Sequence, residues 1–282
     1  MKLIQWNIQW CRGVDGTVDP QRIVDTARAL ADFDVLCLQE VAVNFPALEG
    51  SVGEDQPFKL SSLLPQYEPV FGAAVDHPGG QETRRRFGNM IFSRYPVQQV
   101  FRHALPWPAH SGLPSMPRAA LEIVVASPLG PLRVITTHLE FYSDVQRAAQ
   151  VERLRELHAE ACAQARAEPS TREKAGPFER FPRPEAAILC GDFNMPLGPA
   201  DRMFARLQEE IPGAPRFVDA WTHAHPGKPH PPSFCAHDRT YGEPYCCDFV
   251  FVTEDLAPRL KGVACDVDTQ ASDHQPVIVE LA

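Results

Sequence analysis

Ile188-Leu189-Cys190-Gly191-Asp192-Phe193-Asn194 places an apolar run, a glycine, an acid and an amide in immediate succession. The run has the length of a buried strand, and Asp192 and Asn194 fall where it ends, the place from which a sheet presents functional groups. The pattern recurs along the chain. Asn7 closes Ile4-Gln5-Trp6-Asn7, Glu40 follows Val35-Leu36-Cys37-Leu38-Gln39, and His138 follows Val134-Ile135-Thr136-Thr137. Asp248 heads Phe249-Val250-Phe251-Val252, and Asp273-His274 precedes Pro276-Val277-Ile278-Val279. Any one of these is ordinarily a turn or cap residue. Polar groups cost free energy in an apolar setting, so six strands each carrying acid, amide or imidazole at one end predict a shared site.

Around that pattern the apolar runs predict strands over 2–9, 34–41, 88–93, 119–126, 132–139, 186–191, 248–253 and 276–281. Ser127-Pro128-Leu129-Gly130-Pro131 joins the fourth and fifth as a hairpin. Asp19 as N-cap and Pro20 in the first turn open a helix with Ile23, Val24, Ala27 and Leu30 on one face. A longer helix is predicted from Asp144 to about Glu168, and a third over about 199–211 after Gly198-Pro199. Residues 169–185 and 222–247 read as loops, and no internal repeat appears. The economical organisation is one domain over residues 1–282.

The length of 282 residues and a hydrophobic content of 44% support a large core and exclude disorder. Lys and Arg number 27 against 36 Asp and Glu, a formal charge of −9, so no global basic field draws the chain to nucleic acid or an anionic membrane. A polyanionic substrate must be met locally. The first residues lack the pattern of a signal peptide, and no run reaches the ~18 apolar residues of a membrane span. The expected setting is the cytoplasm. The 8 cysteines follow no framework spacing and read as reduced, mostly buried thiols.

A carboxylate and amide cluster without cysteine suits a hard cation held by oxygen, typically Mg²⁺ with water and substrate in its remaining positions. A histidine beside an aspartate can stay protonated toward a phosphate or take a proton from water. Both uses fit phosphoester chemistry.

Taken in order, Trp6-Asn7-Ile8, Leu38-Gln39-Glu40-Val41, Gly88-Asn89-Met90-Ile91-Phe92-Ser93-Arg94-Tyr95-Pro96, Thr137-His138-Leu139, Gly191-Asp192-Phe193-Asn194, Asp248-Phe249-Val250-Phe251 and Ser272-Asp273-His274-Gln275-Pro276 resemble the motifs of the endonuclease/exonuclease/phosphatase superfamily. The resemblance spans almost the whole chain. It implies an α/β (α+β) fold, a DNase-like four-layer α/β/β/α sandwich of two mainly antiparallel or mixed sheets. It also implies Mg²⁺ or Mn²⁺ held chiefly by Glu40, with Asn7 and Asp273 close to the ion or its waters. Asp192 would align or deprotonate the attacking water and Asn194 would hold a phosphate oxygen. His274, oriented by Asp248, would face the scissile phosphate, with His138 on its opposite side. Hydrolysis would then proceed by direct water attack. One departure stands out: many relatives carry an arginine two residues before the aspartate that begins the late strand, where this chain has Cys246.

Asn89 and Arg118 are further candidates for substrate contact. Arg84-Arg85-Arg86 could steer phosphate, though charge runs usually face water. Cys235, His237, Cys246 and Cys247 offer soft ligands for a structural zinc but lack a paired spacing. Trp107, Trp221, Phe234 and Tyr241 could stack a base or cover an acyl chain, and are read first as packing or loop anchors. The sequence therefore predicts a monomeric, metal-dependent hydrolase of phosphate-containing substrates. A nuclease or DNA-end-processing phosphodiesterase leads, with nucleic acid as its partner. A phosphatase or phosphodiesterase for small phosphoesters or phospholipid and inositol headgroups comes second. A catalytically inactive binding protein on the same fold is opposed by the complete set Glu40, Asp192, Asn194, Asp248 and His274.

Overall fold

The computed structural model describes residues 1–80, 83–168, 176–195, 197 and 202–282. Two six-stranded sheets lie face to face with helices on both outer sides. The strands are β1 (Lys2–Asn7), β2 (Val35–Val43), β3 (Glu68–Pro78), β4 (Arg84–Ser93), β5 (Val97–Ala104), β6 (Ala119–Ser127), β7 (Gly130–His138), β8 (Ala187–Asp192), β9 (Phe217–Asp219), β10 (Asp248–Thr253), β11 (Leu260–Cys265) and β12 (Val277–Leu281). The helices are α1 (Pro20–Leu30), α2 (Gln56–Leu63), α3 (Asp144–Arg166), α4 (Met203–Gln208) and α5 (Ala220–Ala224). One sheet runs β11-β12-β1-β2-β4-β3 and the other β5-β6-β7-β8-β10-β9. Both are mixed, since β1 pairs with β2 and β7 with β8 in parallel while the other pairs are antiparallel. This is the four-layer DNase-like sandwich.

Alternation along each strand builds the layers. In β1, Leu3 joins the core between the sheets, while Ile4 and Trp6 pack outward with Ile23, Val24 and Ala27 of α1. In β8, Ile188 and Cys190 face inward, and Leu189 packs outward with Val151, Leu154 and Leu157 of α3. Each fully buried side chain of this kind contributes about 1.5–3 kcal/mol. Asp19 caps α1 as expected, its carboxylate accepting from the N–H groups of Gln21 and Arg22, and Ser143 caps α3.

The eight expected strands are present, and α3 ends two residues earlier than its pattern. Four further strands, β3, β5, β9 and β11, fill sheet edges or lie beside them. The helix expected over 199–211 is described only as Met203–Gln208, and residues 198–201 lie outside the described residues, as do 169–175 of the expected loop. The 222–247 segment is less irregular than its composition, for α5 enters it and Phe234 bridges to both Tyr245 and His274. All 8 cysteines are free thiols, and 7 are buried. Among the described residues no helix is long and apolar enough to cross a membrane.

Candidate active site

Topology gathers the polar strand ends. Because β1 and β2 are parallel, as are β7 and β8, their C-terminal ends emerge on one rim, with Asn7 opposite Gln39 and His138 opposite Asp192. The antiparallel β10 starts at that rim, where Asp248 stands opposite Asp192, and the turn before β12 delivers Asp273 and His274. Glu40 arrives differently. Strand β2 does not end there but continues to Val43, and Gln39 and Glu40 together oppose Asn89 alone in a β-bulge. Glu40 sits at φ 60°, a left-handed conformation that costs a non-glycine residue of order 1–3 kcal/mol and marks functional positions. Gly191 has a packing reason: a Cβ there would lie 1.9 Å from the Thr137 carbonyl oxygen.

These elements enclose an open cavity of about 250 Å³ whose lining includes Glu40, His138, Asp192, Asn194, Asp273 and His274. The Asn7 amide Nδ2 donates to Glu40 Oε1 at 3.1 Å and to Asp192 Oδ2 at 3.0 Å, locking the two acids together. Its Oδ1 accepts from the Gln9 backbone N–H. Gln9 Nε2 donates to Asp273 Oδ2 at 2.6 Å. The Asp192 carboxylate also accepts from the Asn194 backbone N–H, and the Asn194 side chain donates to the Leu139 carbonyl.

Asp248 has the densest support. Its Oδ2 accepts from His274 Nδ1 at 2.8 Å and from the Ser233 hydroxyl at 2.7 Å, and its Oδ1 accepts from Gln5 Nε2 at 3.0 Å. The Ser233 oxygen in turn accepts from the N–H groups of Cys247 and Asp248. Gln5 bonds to Gln39, which donates to Thr136 across the two sheets. Trp6 Nε1 donates to the His274 carbonyl, tying the outer layer to the site. Neither Ser233 nor Gln5 and Gln9 is marked by a motif of its own. Polarity inside the apolar stretch of β1 is the signal Gln5 carries; Gln9, two residues beyond that strand, and Ser233 carry none.

The two histidines are driven apart. Burial opposes the charged form of His274, but Asp248, Asp192 and Asp273 overcome it and hold the imidazole well above its ordinary pKa. His138 is pushed down to about 3 by burial and by the Arg118 guanidinium, and its Nε2 lies 3.4 Å from Asp192 Oδ2. At neutral pH one is an imidazolium and the other a neutral ring. Glu40 is pushed up to about 7 by desolvation and by Asp273, and Asp273 is also raised by burial. These two oxygen donors face one cavity without enough positive charge to satisfy them. That donor set fits a hard divalent cation.

Of the two expected substrate contacts, Arg118 lines the cavity and is braced by Glu140 at 3.4 Å. Asn89 is not in that lining; it shares a small adjoining pocket with Arg118 and His138, and its amide donates to the Ala119 carbonyl of the opposite sheet. Arg84 and Arg86 pair with Asp76, and Arg85 caps the Pro78 carbonyl, so the basic run serves its own hairpin. Among the described residues the cysteine and histidine ligands expected for zinc do not converge. His237 bonds to the Val267 carbonyl, and only Cys247 clusters with Asp192 and His274, where the imidazole is already taken by Asp248. Phe234 and Tyr241 belong to the cavity wall, whereas Trp107 and Trp221 do not.

The two-sheet sandwich thus gathers acids, amides and a split pair of histidines on one rim. Residues 4–274 match the model of the Endonuclease/Exonuclease/phosphatase family, and the chain belongs to that family. Its members are hydrolases of phosphoesters that generally use divalent metal ions. Among solved structures, the chain is similar to an endonuclease/exonuclease/phosphatase from Beutenbergia cavernae, at 25% identity and TM-score 0.68 over 99% of this chain and 70% of that one. The fold is shared with a mannosyl-6-phosphatase of Bacteroides thetaiotaomicron, at 17% identity and TM-score 0.68 over 100% and 99% of the two chains. It is shared also with TDP2 of D. rerio, solved with a single strand DNA product, at 18% identity and TM-score 0.65 over 99% and 97%. No curated protein matches the chain.

Proposed function

We propose that this chain hydrolyses a phosphoester by direct attack of water, with Mg²⁺ or Mn²⁺ as its cofactor. Support comes from one observation above all: Glu40, Asp192, Asp273 and both histidines, from elements of two sheets, line one cavity with the histidines in opposed charge states, and Asp248 holds His274 from behind that lining. Glu40 and Asp273 would hold the cation, with Asn7 at its edge. When bound, the cation supplies positive charge to the phosphoryl oxygens. Asp192, fixed by Asn7 and the Asn194 N–H, aligns water and accepts its proton. The His274 imidazolium, oriented by Asp248, faces charge that grows on the phosphoryl group. The neutral His138 and the Asn194 amide steady the other phosphate oxygens, and Arg118 the substrate beyond them. A bond forms from water oxygen to phosphorus, the phosphorus–oxygen ester bond breaks, and the departing oxygen takes up a proton.

A pocket of this size, with a single arginine in its wall among the described residues, favours a small phosphoester or the end of a strand over the interior of a duplex, whose binding draws on many phosphate contacts. An end-processing phosphodiesterase acting as a monomer of one domain is the reading we adopt. Purified protein assayed with Mn²⁺ or Mg²⁺ on strand ends, small diesters and monoesters should turn over at least one of them and lose all activity in chelator. Equal turnover with and without chelator, or none on any phosphoester, would overturn this function.

A further inference from the structure

Resting on that reading of the site, we infer that its substrate carries a flat unsaturated ring on the ester beside a single phosphate. A column of rings runs outward from the catalytic imidazole. His274 stacks on Phe234 with centroids 4.4 Å apart at 28°, and Phe234 on Tyr241 at 6.0 Å and 25°. Tyr241 ends the column 56% exposed. Tyr142, also lining the cavity and 53% exposed, stands edge-to-face with Phe141 at 4.8 Å. Large aromatics left open to solvent at the mouth of a polar site mark contact surface, and tyrosine offers a ring to the ligand and a hydroxyl to water.

The rest of the wall excludes the alternatives. A sugar needs several free donors and acceptors, yet Gln9 Nε2 is committed to Asp273, and the Asn194 amide has one N–H on the Leu139 carbonyl and the other given to phosphate. A polyphosphate or inositol polyphosphate needs several cations. Among the described residues Arg118 is the one arginine in the lining, and Arg12 is engaged by Glu49 at 2.9 Å. A ring with one phosphate places its charge against His274 and Arg118 and its face against the tyrosines.

Two sources share this chemistry, an aryl ester and a nucleotide base, and calorimetric titration of the Mn²⁺-loaded protein separates them. Phenylphosphonate and thymidine 5′-monophosphate form the ring-bearing arms, with methylphosphonate and ribose 5-phosphate as ringless controls. At least one ring-bearing ligand should bind about tenfold more tightly than its control, the scale of base stacking on an aromatic side chain. Tyr241→Ala and Tyr142→Ala, both at exposed positions, should bring that ratio toward one. A larger ratio for phenylphosphonate assigns an aryl ester, and a larger one for the nucleotide a base. Ringless ligands binding as tightly, or a ratio that survives both substitutions, would overturn the inference. Because binding is read directly, this outcome stands apart from the turnover test of the proposed function.

Discussion

Two buried clusters of ionisable groups sit in the same sandwich and behave in opposite ways. Glu122 of β6 is bonded by His103 at 2.9 Å and Arg183 at 3.2 Å, with Arg133 3.8 Å away. Burial alone would raise this carboxyl, but the hydrogen bonds from His103 and Arg183 and the charges of Arg133 and Arg183 carry it down to about 2. Arg133 bonds in turn to His158 Nδ1, whose Nε2 donates to the Pro215 carbonyl. At the catalytic rim the balance reverses. Glu40, Asp192, Asp248 and Asp273 converge on one imidazolium, and Glu40 rises to about 7. The first cluster supplies its own counter-charge and is structural. The second leaves its acids short of positive charge, which on the proposed reading a divalent cation would supply.

The comparison breaks most readily at the chemistry. Asp192→Asn and His274→Ala should each lower kcat by about 10²–10⁴-fold, measured on the best substrate, with melting temperature little changed. Turnover near that of the parent in both would remove the proposed roles. The next largest effect belongs to the other cluster. Glu122→Gln leaves Arg133 buried without its partner and should destabilise the fold by about 3–5 kcal/mol in urea denaturation, while Mn²⁺ affinity stays as it was.

The pH dependence sharpens the contrast in metal-free protein. Glu122 has a folded pKa below its unfolded one, so its contribution is present above the ordinary glutamate range and fades as pH falls toward 2. Glu40 has a raised folded pKa, so its contribution is present at acid pH and is lost as pH climbs through about 7. Glu40→Gln should therefore stabilise the metal-free protein at pH 8, on the order of 1 kcal/mol after screening at this partly open site, and do little at pH 4. Equal melting temperatures at pH 8 would count against the strained acid pair. Smallest is Ser233→Ala, which loosens Asp248 without touching substrate. We expect kcat to fall about tenfold with KM nearly unchanged and Ser233→Thr to restore it; a matching rise in KM would make Ser233 merely structural.

The central strands were legible because β1, β2, β8 and β10 are buried on both faces and spell apolar runs that begin or end in acids or amides. The edges were not. Strand β5 reads Val-Gln-Gln-Val-Phe-Arg-His-Ala with none of its residues buried, and β3 carries Pro69, Gly72 and Pro78. Within the site, Asn7, Glu40, His138, Asp192, Asn194, Asp248, Asp273 and His274 could be named from strand ends and ordered motifs. The bulge that swings Glu40 inward depends on the Met90 and Gly88 register of a neighbouring strand, which no local pattern records. Ser233, Phe234 and Tyr241 lie in a proline-rich stretch without periodicity, and only the bridges from Phe234 to Tyr245 and His274 reveal that it packs on the catalytic ring.

Thermal unfolding with and without Mn²⁺ at pH 8 tests most directly whether the rim is built for a cation. Saturating metal at about 100 times its dissociation constant should stabilise the parent protein by ~2.7 kcal/mol. Glu40→Gln and Asp273→Asn should abolish that gain, and Glu122→Gln should keep it from its lower starting point. A parent protein indifferent to metal, or a gain that persists in both rim variants, would contradict the account.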